Sequence, residues 1–173
     1  MHDEVSSIEG IIAAIDDLHR RDPIGAELGY AQRMSHWLME LDSDPSPALV
    51  IAVRAQHLKR WECPRSEFPA GRAGYLRWRR NAAAHHARLV TQLLETFESD
   101  RALIDRVGAL VEKRCRDRDG QTLEDCACLV FLETRLADFR DEHAAPDVAR
   151  ILGKAWQKMS SAARALATAR ALI

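Results

Sequence analysis

The sequence predicts an all-α protein, built as a single-domain bundle of about seven or eight helices. Apolar residues recur with the helical period of 3.6 residues through almost every long segment, and turn-forming residues separate these segments. No segment shows the regular alternation of a half-buried strand. A chain of 173 residues is also the usual size of one domain.

The first half of the chain predicts three helices. The first covers 6–21, where two serines can cap its start and isoleucines form an apolar stripe. The second covers 27–42 and ends before prolines, which cannot continue a helix. Ser46 and Pro47 fit the N-cap and first position of a third helix, predicted to run to about Trp61.

The second half predicts three more helices and one or two near the C-terminus, over approximately 72–97, 100–116, 123–139 and 146–172. Two prolines and a glycine make 62–72 the longest predicted loop. The sixth helix contains the run "CACLVFL", which is apolar on every side and therefore predicted to be central. Ser160 is a predicted cap for the last helix.

The overall charge is balanced, but its distribution is not. The formal net charge is −1, so no global field attracts the protein to nucleic acid or membranes. Between residues 54 and 88, however, arginine and lysine greatly outnumber the two acids Glu62 and Glu67. We interpret this segment as a local anion-binding surface.

The cysteines and the N-terminal segment predict a cytoplasmic protein. Cys126 and Cys128 are separated by one residue, and neither they nor Cys63 and Cys115 fit a usual zinc spacing. The first ten residues are acidic and lack the apolar core of a signal peptide. No apolar run approaches the ~20 residues needed to span a bilayer. We therefore expect reduced thiols and no membrane partner.

His57 is the first candidate site residue. On the predicted third helix, Arg54, His57, Arg60 and Trp61 follow one face, because residues three and four apart are neighbours on a helix. A single helical histidine is more often a packing residue than a ligand, and the arginines could be a solvated face. The pattern alone leaves both interpretations open.

Two further helices carry polar residues beside apolar ones. His85 and His86 interrupt a run of alanines, and adjacent helical residues point about 100° apart, so one of the two can face a given site. Glu124 and Asp125 precede the central apolar run, and Glu133 follows it. The first two acids could also favour the positive end of the helix dipole.

Several segments of the chain together resemble DUF4202, an uncharacterised family found in bacteria and fungi. These segments are "YAQRMSHWL", "RAQHLKRWECPRSEFPAGRAGYLRWR", "HHARL", "LEDCACLVFLE" and "KAWQKMS". The resemblance divides the chain into an N-terminal helix (1–25), a family core (26–160) and a C-terminal helix (161–173). The residues on the family's pattern are His57, Arg60, Trp61, Arg65, Arg72, Tyr75, Trp78, His86, Glu124 and Asp125.

The helix order is also similar to that of the HD-domain metallohydrolases, a more distant resemblance. On that template His36 is the early histidine, His57 the histidine of the His-Asp pair, His86 a later histidine and Asp125 the late aspartate. The residue after His57 is Leu58, where the HD pattern has aspartate. This departure places a two-metal centre in doubt.

The resemblance predicts a metal site formed by His57, His86 and Asp125, with His36 as a further ligand. Imidazole and carboxylate ligands suit zinc, iron or manganese, and the sequence does not choose between them. A partly open metal can lower the pKa of bound water to about 7. Glu124 and Asp125 are the predicted catalytic residues, with Glu124 as a base or as a partner that orients an imidazole.

The basic segment predicts the other half of this site. Guanidinium groups suit phosphate or carboxylate, and aromatic side chains could stack a planar ring or simply pack the loop. The loop between Cys63 and Gly71 is a candidate lid. The predicted substrate-binding residues are Arg54, Arg60, Arg65, Arg72, Trp61, Tyr75 and Trp78.

These expectations favour a metal-dependent enzyme that acts on a small anionic, phosphate-containing molecule, most plausibly an HD-like phosphohydrolase. One alternative is an iron-dependent HD-like oxygenase. Another is a non-catalytic module that binds an anion, a nucleic acid or a protein, although the net charge argues mildly against nucleic acid. A helical scaffold without a ligand is the least economical interpretation. The sequence leaves the oligomeric state open.

Overall fold

The all-α prediction is confirmed. The computed structural model describes residues 2–134, 136 and 145–173, and this part of the chain forms eight α-helices and no strand. Of two short 3₁₀ turns, Arg65–Glu67 lies in the predicted loop, whereas Arg60–Glu62 begins within the predicted third helix. The helices are α1 (His2–His19), α2 (Glu27–Leu41), α3 (Pro47–Arg54), α4 (Gly71–Thr96), α5 (Arg101–Val111), α6 (Arg118–Thr134), α7 (Ala145–Lys158) and α8 (Ser161–Ala169).

Serine side chains start two helices where the sequence predicts them. Ser46 Oγ accepts a hydrogen bond from the Leu49 backbone N–H at 3.2 Å and donates to Asp119 at 2.9 Å. Ser160 Oγ accepts from the Ala163 N–H at 3.2 Å. Each cap satisfies a backbone donor that the first turn of a helix leaves unpaired.

Helix α6 is central, as its apolar sequence predicts. It packs against α2, α3, α5, α7 and α8, and its leucines and cysteines are buried. The core around it contains Ile11 and Ile15 of α1, Met34 and Leu38 of α2, and the leucines and valines of α3 and α5. This arrangement leaves one side of α6 facing α4 and α7 across a cavity.

Helix α3 is shorter than predicted, which corrects the sequence analysis. It ends at Arg54 rather than near Trp61, and the chain then enters a turn in which Lys59 adopts a left-handed conformation with φ 52°. A left-handed residue cannot continue a right-handed helix. His57 therefore lies in a turn, and the predicted helical face that it would share with Arg54 and Trp61 is wrong.

Two histidines from other helices bind backbone carbonyls at the end of α3 and in the turn that follows it. His19 Nε2 donates a hydrogen bond to the Arg54 carbonyl at 3.0 Å, and His86 Nδ1 donates to the Leu58 carbonyl at 2.8 Å. These carbonyls would otherwise lose the partners that a longer helix supplies. Side chains of α1 and α4 thus hold the turn that presents His57.

Other helix ends also differ from the predictions. The first helix begins earlier than residue 6, and α5 ends at Val111 because Lys113 adopts a left-handed conformation (φ 61°). Helix α6 begins at Arg118 rather than near 123. Its predicted end at 139 lies outside the described residues.

Gly74 lets the loop after His57 approach helix α4 closely. A Cβ atom at this position would lie 1.8 Å from the carbonyl oxygen of Pro69, which no side chain could tolerate. Trp78, one turn further along α4, donates from Nε1 to the Cys63 carbonyl at 2.9 Å. The loop is therefore fixed to α4 at both places, which positions the exposed residues at the start of this helix.

No helix within the described ranges is long and apolar enough to cross a membrane.

The four cysteines are free thiols, and Cys63, Cys126 and Cys128 are buried. Burial raises the pKa of the Cys126 thiol to about 12 and that of the Cys128 thiol to about 11. Both thiols therefore stay protonated at neutral pH and act as small packing groups.

Candidate functional site

A large cavity lies between α4, α6, α7 and the turn that follows α3. This main chamber has a volume of about 750 Å³. A side chamber of about 410 Å³ lies between α2, α6 and the same turn. His57, Arg60, Ala127 and Phe131 line both chambers, so His57 and Arg60 stand at the junction of one two-part cleft.

The main chamber is strongly basic. Among the described residues that line it, seven carry a positive charge and one carries a carboxylate, Glu124. A concave wall of one charge raises the local concentration of ions of the opposite sign. The seven basic residues are Arg60, Arg72, Arg79, Lys113, Arg150, Lys154 and Lys158.

Glu124 holds two of these cations in place. Its carboxylate accepts hydrogen bonds from Lys113 Nζ at 2.9 Å and from Lys158 Nζ at 3.1 Å. Burial alone would raise its pKa, but the two ammonium groups outweigh burial and lower the pKa of Glu124 to about 2. Glu124 is thus ionised at neutral pH and suited to positioning cations rather than to accepting a proton.

The other cations of the chamber differ in their carboxylate partners. Within the described part of the chain, Arg72, Arg79 and Lys154 form no ion pair with a carboxylate, whereas Arg150 pairs with Asp147 at 2.8 Å. Placing unpaired cations together in a concavity costs electrostatic energy unless an anion neutralises them. These three side chains are therefore the strongest candidates for binding an anion.

His86 is buried at the floor of the main chamber. The residue is 3% exposed, and its Nδ1–H is held by the Leu58 carbonyl at 2.8 Å. Burial, together with nearby His57, lowers the pKa of His86 to about 3. The imidazole is therefore neutral at physiological pH, with its proton on Nδ1 and a lone pair on Nε2.

His57 is fixed on several sides. Its ring stacks on Tyr30, with centroids 4.0 Å apart and planes at 11°. Arg60 Nη1 donates to His57 Nε2 at 2.8 Å, so this nitrogen accepts and the proton lies on Nδ1, 3.5 Å from Glu27 Oε2. Burial raises the pKa of the Glu27 carboxyl. The rings of His57 and His86 have centroids 6.0 Å apart.

The predicted metal ligands do not converge. Asp125 is buried, and its Oδ1 accepts hydrogen bonds from the Ser160 N–H at 2.8 Å and from Gln121 at 3.0 Å. His36 lies on an exposed face of α2. Of the predicted set, only His57 and His86 come together, and no three His, Cys, Asp or Glu side chains in the described ranges are arranged to hold a metal ion.

Some predicted substrate-binding residues have other contacts. Arg54 pairs with Asp16, at 2.7 Å for its closest atoms, on the far side of α3. Arg65 donates to the carbonyls of Phe68 and Pro69 and so stabilises the loop. Trp61 is half-buried and does not line either chamber.

The remaining substrate-binding predictions meet in one place. The main chamber is lined by Arg60, Arg72, Tyr75 and Trp78, together with His57, His86 and Glu124. Trp78 also stacks under the Arg60 guanidinium, 4.9 Å from the ring centroid to the carbon Cζ. Glu133, a weaker candidate, instead accepts from Trp37 Nε1 at 3.0 Å.

Comparison with known proteins identifies the family of this chain but gives no activity. The family model described as "Domain of unknown function (DUF4202)" matches residues 9–172. The chain belongs to this family. No curated protein and no solved structure matches it.

Sequence reasoning missed the basic residues that α7 contributes to this DUF4202 site. Arg150, Lys154 and Lys158 are four residues apart, so they follow one helical face toward the chamber. That spacing was the available signal, although it is also typical of a solvated face. Glu27 and Lys113, at the ends of their helices, gave no comparable signal.

The burial of His86 predicts a pH dependence of stability. Its folded pKa of about 3 lies below the ordinary value of 6.5, so the unfolded chain binds the proton more tightly. The contribution to stability is complete above pH 6.5 and is lost as the pH falls toward 3, at about 1.4 kcal/mol per pH unit. Urea unfolding of wild type and His86→Asn between pH 7 and pH 4.5 measures it.

The difference between these two proteins isolates His86, because the charges around it (His57, His85 and Arg60) are common to both. We expect the wild type to lose more stability than the variant over this range. Equal losses would show that His86 is protonated without penalty in the folded protein.

Proposed function

We propose that this protein is an enzyme that binds a small phosphate-containing anion in the main chamber and hydrolyses a phosphoester bond of that substrate. The observation that supports the proposal best is the excess of seven cationic side chains over one carboxylate around a 750 Å³ cavity. A cavity of this size accommodates a small molecule rather than a polymer strand. The two histidines that line it, His57 and His86, favour an enzyme over a passive carrier.

The contacts support a division of roles. Arg72, Arg79 and Lys154 would pair with phosphate oxygens and reduce the charge that repels an attacking water. Lys113 and Lys158, held by Glu124, would keep a fixed second pair of donors beside them. His57 and Arg60 stand at the junction with the side chamber, where the bond between the phosphate and the rest of the substrate would lie.

Metal dependence is a separate part of this hypothesis and stays a prediction. A zinc, iron or manganese ion would add a Lewis acid and acidify a bound water. Elemental analysis of untagged protein, comparing wild type with His57→Ala and Asp125→Ala, tests it. Stoichiometric metal that is lost in both variants would support the ligand set; protein that hydrolyses its substrate in the presence of a chelator would contradict it.

The anion-binding part predicts a measurable effect of two side chains. We expect calorimetry at low salt to show that Arg79→Gln and Lys154→Gln each weaken pyrophosphate binding about tenfold, because each removes a charge-assisted hydrogen bond. Binding by wild type should weaken as salt rises. Arg101→Gln is the matched control, since Arg101 is exposed on α5 and pairs with Asp105.

Two results would count against the proposal. If wild type binds neither pyrophosphate nor an organic phosphate such as ADP, or if Arg101→Gln weakens binding as much as Arg79→Gln, the chamber is not an anion site. A single-stranded RNA that binds more tightly than pyrophosphate and is equally sensitive to salt would instead favour the binding-module alternative.

A further inference from the structure

The wall of the main chamber consists mostly of hydrogen-bond donors. Lysine and arginine side chains donate and do not accept, so they match the oxygens of a phosphate group. His86 Nε2 is an exception, because it carries a lone pair and has no protein partner among the described residues. An ionised phosphate oxygen next to this nitrogen would be repelled, since both atoms are acceptors.

The protein prevents His86 from becoming a donor at Nε2. Its Nδ1–H donates a hydrogen bond to the Leu58 carbonyl at 2.8 Å, and only 3% of the residue's surface is exposed. Neighbouring His57 and Arg60 further disfavour a second proton on the ring. The lone pair is therefore a fixed part of the chamber rather than one state of a mobile group.

A second polar group that lines the main chamber also lacks a partner. Gln56 is 5% exposed and lines the same chamber, and its Oε1 makes no hydrogen bond within the described part of the chain. Leaving a buried acceptor unpaired costs about 1–3 kcal/mol.

We propose that His86 Nε2 accepts a hydrogen bond from a hydroxyl or N–H group of the ligand, so that the chamber selects phosphorylated organic compounds, such as sugar phosphates or nucleotides, over inorganic phosphates of similar charge. This inference rests on the proposed function and names its substrate class. The cations supply affinity for the phosphate, and His86 discriminates between organic and inorganic phosphates. A site built around a substrate donor rejects an analogue that lacks it, because its own acceptor is then left unpaired.

The test compares three ligands of similar charge by calorimetry: pyrophosphate, ADP and fructose 1,6-bisphosphate. The two variants place a side-chain amide at different distances from the backbone. His86→Asn keeps a donor near the Leu58 carbonyl but removes the acceptor, whereas His86→Gln places an amide oxygen near the position of Nε2. We expect His86→Asn to weaken binding of at least one organic phosphate about tenfold and to change pyrophosphate binding by less than twofold. His86→Gln should restore most of the affinity that His86→Asn loses.

A measurement without substitution covers the case in which a variant does not fold. In the wild type, the side-chain ¹⁵N resonance of His86 Nε2 should move when that organic phosphate binds and should stay unchanged with pyrophosphate. An equal loss of all three ligands in His86→Asn, or an Nε2 resonance unaffected by every ligand, would overturn the inference while leaving the anion site intact. Failure of the wild type to bind any of the three would overturn both proposals.

Discussion

Replacing Leu58 by aspartate is expected to unfold the protein rather than to restore a metal ligand. Leu58 occupies the position where the HD pattern has aspartate, but its side chain is 0% exposed and belongs to the hydrophobic core. A carboxylate there would be buried without a partner, which costs more than about 4 kcal/mol. Typical domains have 5–15 kcal/mol of stability in total, so urea unfolding should show most or all of it lost.

Leu58→Met is the matched control for this prediction. It conserves volume and should cost less than about 1.5 kcal/mol. A folded Leu58→Asp variant that binds one equivalent of a divalent metal would contradict the prediction. It would also show that the turn can rotate residue 58 out of the core and toward the cleft.

The second large effect is expected at Arg54. Its guanidinium binds both oxygens of Asp16, at 2.7 and 2.8 Å, and also donates to Ser35 Oγ at 3.1 Å. The side chains of Arg54 and Asp16 are each 13% exposed. Arg54→Met leaves the aspartate nearly buried and unpaired, and we expect a loss of about 3–5 kcal/mol in the free energy of unfolding.

A double-mutant cycle separates the ion pair from packing. Adding Asp16→Leu to Arg54→Met removes the stranded charge and should recover most of the stability, because buried pairs can often be replaced by apolar residues at little cost. Arg101→Met, which breaks an exposed pair with Asp105, should change stability by less than about 1 kcal/mol. Equal effects of Arg101→Met and Arg54→Met would show that burial does not strengthen the Arg54 pair.

The sequence predicted the helices that have strong local signals. Ser46, followed by Pro47, and Ser160 are N-caps, which act through neighbouring backbone groups and do not depend on the rest of the fold. The apolar run of α6 requires a central position for that helix. The end of α3 has no such signal. Residues 55–58 continue a helical pattern, and the turn that replaces it depends on His19 and His86, which are far away in the sequence.

Prediction of the site residues was limited in the same way, because it depended on where α3 ends. Arg60, Arg72, Tyr75 and His86 line the main chamber together, because α4 carries the last three and the loop after Arg60 is fixed to α4. Arg54 was predicted to bind substrate because it precedes His57 by three residues. That spacing places two residues together only if the helix continues, and α3 ends between them.

The way α3 ends also has a consequence for the order of folding. The Arg54 carbonyl at its end and the Leu58 carbonyl in the following turn accept hydrogen bonds from histidines 35 and 28 residues away. The turn around His57 is therefore complete only after α1 and α4 have docked. Contacts between distant segments carry a loop-closure cost and form late. A partly folded chain in which α1 and α4 have not docked would therefore have helices without the ordered turn that presents His57 to the cleft.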